Sequence, residues 1–202
     1  MPRASLLVVD VQRDFCPGGA LAVKGGDRVV ARLNRVTSAF HQAGLPIFFT
    51  RDWHPRNHCS FRDRGGTWPS HCVAGTPGAE FHPDLQVPLG SIIISKATDP
   101  NEDAYSGFQG TELEAELRRV GADELFIGGL ATDYCVKQTC LGALERGFAA
   151  SVMTDCVKGV NLSTGDSEAA LRAMSSRGAK LVTSADAIRV CRRAAMMSSS
   201  RP

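Results

Sequence analysis

At 202 residues and 43% apolar content, the chain is long enough to bury a full core and short enough for one domain, 1–202. Its 23 Lys plus Arg against 21 Asp plus Glu leave a formal net charge of +2 and no basic stripe, which argues against a nucleic-acid partner. No apolar run approaches the roughly 20 residues of a membrane span, and seven irregularly spaced cysteines without a secretory leader argue against a disulfide framework. A soluble protein of the reducing cytoplasm, with a small-molecule partner, is expected.

Short apolar, β-branched runs recur along the chain, and most close on a polar residue or glycine. Leu6 to Val9 precedes Asp10, Ile47 to Thr50 precedes Asp52, and Ile92 to Ile94 precedes Lys96. Leu125 to Ile127 precedes Gly128 and Gly129, and Ser151 to Thr154 and Lys180 to Val182 complete the set. Between them Asp27 to Ala43, Thr111 to Val120, Asp133 to Arg146 and Thr164 to Ser176 carry apolar residues at helical spacing. Gly44, Gly121, Gly147 and Gly178 fit helix C-caps. The alternation predicts an α/β fold: a three-layer, doubly wound, mostly parallel six-stranded sheet with helices on both faces. Ligands of such sheets bind beyond the carboxyl ends of the strands, where Asp10, Asp52, Lys96 and the segment leading to Cys135 all fall. The stretch around 51–88 is one long, aperiodic interruption rich in His, Pro, Gly and aromatics, expected to be an ordered functional loop. The tail from about Arg192 to Pro202 is expected to fray.

Chemistry-bearing residues collect at the predicted rim. Asp133 or Thr132 can cap the helix that carries Cys135 in its first turn, and the thiol pKa is expected to fall there. The alternative for Cys135 is a buried structural cysteine; Cys140 and Cys156 read as core. Asp10, poorly solvated at a strand end, suits a general base with a raised pKa, and Lys96 supplies the opposing charge. A structural ion pair is the alternative for those two. Asp52 and His54 project to one side of an extended segment, and with His71 they make a ligand set used for Zn(II), Fe(II) and Mn(II). Hydrogen-bonded loop histidines are the other reading of that pattern. His58, Cys59 and Cys72 are read as neighbours, with His58 the one that could add a ligand.

The stretches LLVVDVQRDFCPGGALAV, TRDWHPRNHCSF, TWPSHCVAGTPGAEFHP, KATDPNEDAYSGFQGT and GGLATDYCVKQT follow one another across most of the chain. Together they resemble the nicotinamidases and pyrazinamidases of the isochorismatase-like cysteine hydrolases. That resemblance implies hydrolysis of nicotinamide and pyrazinamide to the acid and ammonia, in NAD salvage. It implies a triad of Asp10, Lys96 and Cys135, and one divalent metal on Asp52, His54 and His71, zinc first, with iron or manganese as alternatives. It implies a cis peptide between Leu130 and Ala131, an oxyanion hole from the Ala131 and Cys135 amides, and a pyridine ring walled by Phe15, Trp68 and Tyr105. Self-association into a homo-oligomer is left open. Two competing readings remain: an amidase of the same superfamily acting on a carbamoyl or ureido group, which lacks the D-x-H motif, and a non-catalytic binding protein on the same scaffold.

Overall fold

The computed structural model describes residues 3–198, and within them six strands form one sheet. These are β1 (Ala4–Val9), β2 (Ile47–Asp52), β3 (Ile92–Lys96), β4 (Glu124–Leu130), β5 (Ala149–Lys158) and β6 (Lys180–Val182). Their order across the sheet is β3-β2-β1-β4-β5-β6, and every pairing is parallel rather than mostly so. Five helices cover it: α1 (Val30–Gln42), α2 (Leu113–Arg119), α3 (Lys137–Glu145), α4 (Asp166–Ser176) and α5 (Ser184–Ser198).

The nearly unbroken apolar strands follow from burial on both faces. Leu6 and Val8 of β1 point into a core shared with Leu33, Val36 and Phe40 of α1 and Ala187 and Cys191 of α5. Their neighbours Leu7 and Val9 point the other way, into a core with Leu113 and Leu117 of α2, Cys140 and Ala143 of α3 and Met174 of α4. Cys140 and Cys156 are fully buried core residues, as expected. Gly44, Gly121, Gly147 and Gly178 all adopt positive φ just past a helix, the left-handed position that favours glycine.

Two expectations change. Arg192 to Ser198, read from the sequence as a patternless tail, lie in α5: Arg, Ala and Met favour helix and the preceding turns are anchored by buried Ala187 and Cys191; 199–202 lie outside the described residues. The predicted first turn of α1 is a 3-10 turn, Gly26–Val29, so the α-helix itself begins at Val30. The 51–88 interruption is ordered, with short 3-10 turns at Arg62–Arg64 and Pro77–Ala79 and bridges between His54 and Val73 and between Phe61 and Trp68.

The strand order reverses between β1 and β4, because the chain winds outward through β2 and β3 and then returns to add β4, β5 and β6 on the other side. Such a switch point splays the flanking connections and opens a crevice at the carboxyl ends of the strands. β4 can hug β1 there only because of Gly129, at φ 126°: a Cβ on it would lie 2.0 Å from the Val9 carbonyl oxygen. The β4–β5 register also slips between Ile127 and Gly129, and the chain leaves the sheet through a cis peptide joining Leu130 to Ala131.

Candidate active site

Asp10, Asp52, Lys96 and Cys135 converge at this crevice from four different strands. Register explains it: Val9 pairs with Thr50 on one side and Gly129 on the other, and Asp52 pairs with Lys96. Lys96 is completely buried, and its Nζ lies 3.1 Å from Asp10 Oδ2 and 3.5 Å from Cys135 Sγ, donates to the Ala104 carbonyl at 3.1 Å, and is ion-paired with Asp52. Burial opposes the ammonium, but Asp10 and Asp52 outweigh it and hold the Lys96 pKa well above its ordinary range. Asp10 Oδ1 accepts the Thr50 hydroxyl at 2.6 Å. Its Oδ2, though ion-paired with Lys96, is not aligned for a hydrogen bond and keeps acceptor capacity. Burial raises the Asp10 pKa despite the lysine, as the strand-end position predicted. Asp52 moves the other way: burial works against its charge, yet Lys96 and His54 hold it below the usual carboxylate range.

Cys135 departs from expectation in two respects. It sits in a π-helical turn, Thr132–Val136, that precedes α3, and no side chain caps that turn. Asp133, the expected cap, points away to the amides of Val160 and Asn161. Burial, which no charge overcomes, pushes the Cys135 thiol well above its ordinary pKa, with Lys96 opposing and Asp10 and Asp52 adding to the rise. The direction of that shift favours the protonated thiol over the thiolate expected from a capped helix start. One oxygen each of Asp10 and Asp52 and the Cys135 Sγ lie within 4.8 Å of one another. The Ala131 carbonyl accepts the amides of Tyr134 and Val136, both at 3.1 Å, so its acceptor sites are taken by the residues on either side of Cys135.

The histidines adjoin this cluster. Ligand atoms of Asp52, His54 and His71, all buried, lie within 4.8 Å of one another. His71 Nδ1 is 2.8 Å from the Pro69 carbonyl and His54 Nδ1 is 3.3 Å from that of Ala97, which leaves both Nε2 atoms for a ligand. His54 Nε2 is buried without a hydrogen-bond partner, and burial lowers the His71 pKa toward the neutral, ligating form. A carboxylate oxygen and two imidazole nitrogens so placed suit a divalent cation. His58 stacks on His54 with ring centroids 4.2 Å apart, but its nitrogens face Ser60 Oγ at 2.7 Å and the Glu102 carbonyl at 3.1 Å. It therefore buttresses the group. Cys59 and Cys72 do not join it among the described residues.

A narrow cavity of about 40 Å³ joins the two clusters, room for a small flat molecule when one water needs roughly 10–15 Å³. Phe15, Trp68, Tyr105, Ala131 and Cys135 line it with Asp52, His54 and His71, while Asp10 and Lys96 lie fully buried behind it. Trp68 Nε1 donates to the Tyr105 hydroxyl at 2.9 Å, fixing both rings.

Sequence reasoning missed several members. Tyr134 lines the cavity and packs edge-on against Trp68; its only signal was adjacency to Cys135. Gln12 is buried and clamps Asp52 from both sides, donating to its carbonyl at 2.7 Å and accepting its amide at 2.8 Å. Asp14 accepts the Cys72 amide at 2.7 Å, holding the turn next to His71. Among the described residues, the non-glycine positions with positive φ are Asp10, Cys72, Ala97 and Asn161. Asp10 is itself in the buried cluster, and the others directly follow His71, Lys96 and the cavity-lining Val160, so left-handed backbone strain is concentrated around the site.

A doubly wound sheet carrying a buried Asp, Lys and Cys at its switch point beside an Asp-His-His cluster is the architecture of a small-molecule hydrolase. The chain belongs to the isochorismatase family, whose domain matches residues 4–186. Within that family it is similar to nicotinamidases and pyrazinamidases. It is 42% identical to the nicotinamidase of Escherichia coli (strain K12), over 92% of this chain and 97% of that protein. It is 39% identical to the nicotinamidase/pyrazinamidase of Mycobacterium tuberculosis (strain ATCC 25618 / H37Rv), over 89% and 98% respectively. The crystal structure of the pyrazinamidase of Pyrococcus horikoshii in complex with zinc superposes with a TM-score of 0.87 at 50% identity, covering 90% of this chain and 99% of that one.

Proposed function

We propose that this protein is a nicotinamidase: a cysteine-dependent, metal-assisted amidohydrolase that converts nicotinamide, and pyrazinamide, to the acid and ammonia, serving NAD salvage in the cytoplasm. The observation that carries the reading is the meeting of Asp10, Lys96 and Cys135 with Asp52, His54 and His71 at one aromatic-walled cavity. Seven free thiols agree with a reducing compartment.

Phe15, Trp68 and Tyr105, with Tyr134, hold the heteroaromatic ring flat and place its carboxamide carbon over Cys135. Asp10 takes the thiol proton as Sγ attacks that carbon; burial has raised its proton affinity, which suits it to accept the proton and later return it. Lys96 remains an ammonium throughout and offsets the negative charge that builds between the two carboxylates and the sulfur. The developing oxyanion is received by the Ala131 and Cys135 amides, and loss of one such donor typically costs about a hundredfold or more in rate. Asp10 returns that proton to the amide nitrogen, which departs as ammonia, and then carries a proton from a water to the sulfur as the water opens the thioester to release the acid and the free thiol. Asp52, His54 and His71 would hold the divalent ion, zinc first, which when bound supplies a Lewis acid for the ring nitrogen or a water. A carbamoyl- or ureido-directed amidase is disfavoured because the D-x-H pair is present and its histidine is oriented for ligation.

The test is ammonia release from nicotinamide by the purified protein, before and after metal removal and restoration, with Cys135→Ser as the chemical control. Release that vanishes with the metal, returns with zinc and is lost in the serine variant supports the reading. No release from folded, metal-replete protein overturns it in favour of a related amidase.

A further inference from the structure

Asp133 lies two residues before Cys135, yet it serves neither as a cap nor in the steps above. Its Oδ1 accepts the Val160 amide at 2.9 Å and its Oδ2 the Asn161 amide at 2.8 Å, bonds that span 27 and 28 residues. Val160 lines the cavity from a different segment, the connection between β5 and α4. One carboxylate thus joins the turn that carries the nucleophile to a wall of the substrate pocket.

The surrounding chain is shaped to receive that carboxylate. At Gly159 a Cβ would lie 2.9 Å from Asp133 Oδ1 and 2.0 Å from Ser167 Oγ, so a side chain there would push the two segments apart. Asn161 takes φ 53° to present its amide, and it holds that shape by accepting the Ser167 amide at 2.9 Å and donating to the Gly159 carbonyl at 3.2 Å. The same engagement draws the carboxylate away from the uncapped start of the Cys135 turn. A free acid at that position would cap the turn's amides and set a negative charge against an arriving oxyanion.

We infer that Asp133 is a positioning residue: it fixes Val160 against the substrate and keeps its own carboxylate off the Cys135 amide by holding it on the Val160–Asn161 backbone. The inference rests on the nicotinamidase reading for its kinetic consequence but on hydrogen bonding alone for its structural one. Two further predictions separate a positioning role from general support of the fold. Truncation should act on substrate binding more than on turnover, and it should act through Val160.

The experiment compares wild type, Asp133→Ala, Asp133→Asn, Val160→Ala and the Asp133→Ala/Val160→Ala double variant, all checked for cooperative unfolding. For nicotinamide hydrolysis, Asp133→Ala is expected to raise KM about tenfold while kcat changes by less than about threefold. Asp133→Asn, which keeps one acceptor oxygen, should fall between, and the double variant should be no worse than the more affected single one. In parallel, amide hydrogen exchange at Val160 and Asn161 and the rate of Cys135 alkylation by iodoacetamide should both rise in Asp133→Ala. Unchanged exchange and alkylation in a folded Asp133→Ala protein, equal losses in kcat and kcat/KM, or additive effects in the double variant overturn the inference. If wild type releases no ammonia, the nicotinamidase reading fails, and exchange and alkylation still decide the role of Asp133.

Discussion

Lys96 is the residue on which the site's charge balance turns. It is one cation between two buried carboxylates, so its loss would strand both: breaking such a buried set typically costs about 3–5 kcal/mol. Because its folded pKa is raised, its contribution to stability is fully present below the unfolded value of about 10.4 and is lost only as pH climbs through the higher folded one. Asp52, lowered on folding, contributes above about pH 3.9 and loses that contribution as pH falls through its depressed value. Asp10, raised on folding, costs stability at neutral pH and is relieved on protonation. For the reaction, Asp10 must be ionised to accept the thiol proton, so with metal saturating the acid limb of kcat/KM is expected above the ordinary aspartate value of about 3.9. In Lys96→Met the melting temperature should drop and, in whatever activity remains, that limb should move to higher pH. A limb that stays in place would mean that Asp10 is not the group being titrated.

At the scale of elements, the strands and their polar ends were legible because burial on both faces leaves a continuous apolar run, and each run stops where the chain reaches the rim. Asp10, Asp52 and Lys96 could be placed from that alone, as could the C-capping glycines. The helix start at Cys135 was misread, because Thr132-Asp133 has the composition of a cap while its partner, the Val160–Asn161 backbone, lies 27 residues away in sequence. The thiol pKa was misread for the same reason: a capped first turn lowers it, whereas a buried thiol in an uncapped turn beside two carboxylates is raised. α5 was missed because its outer positions are small, polar and basic, and only Ala187 and Cys191 are buried strongly enough to mark a face. Gly129 tests the packing of β4 on β1. Its φ of 126° and a Cβ clash with backbone rather than a movable side chain predict that Gly129→Ala loses on the order of 3 kcal/mol or more, read from denaturant unfolding. Near-wild-type stability would show that the strands can part there without penalty.

On the whole-molecule scale, the candidate ligand set exists only when two separate pieces of chain are brought together: the Asp52–His54 stretch that closes β2, and the loop bearing His71. An ion that binds this assembled set and not the unfolded chain stabilises the fold by mass action, by about 2.7 kcal/mol at a hundredfold excess over its dissociation constant. For a chain of this length that corresponds to a rise of roughly 5–10 °C in melting temperature. Zinc is expected to produce such a shift in wild type, a chelator to reverse it, and His71→Ala to abolish it together with metal content. A full shift in His71→Ala would remove that residue from the ligand set. Among the described residues no helix is long and apolar enough to cross a membrane.

The indole of Trp68 gives the pocket an optical voice. The chain has two tryptophans, and the other, Trp53, lies under the Arg51 guanidinium, 3.8 Å from its ring centroid, rather than in the cavity lining. Trp68 stands in the cavity wall, its N–H already committed to Tyr105. A ligand bound in the cavity is expected to perturb this emitter and leave the other as an internal reference. Occupancy of the pocket can therefore be followed by intrinsic fluorescence, without a label and before any bond is broken.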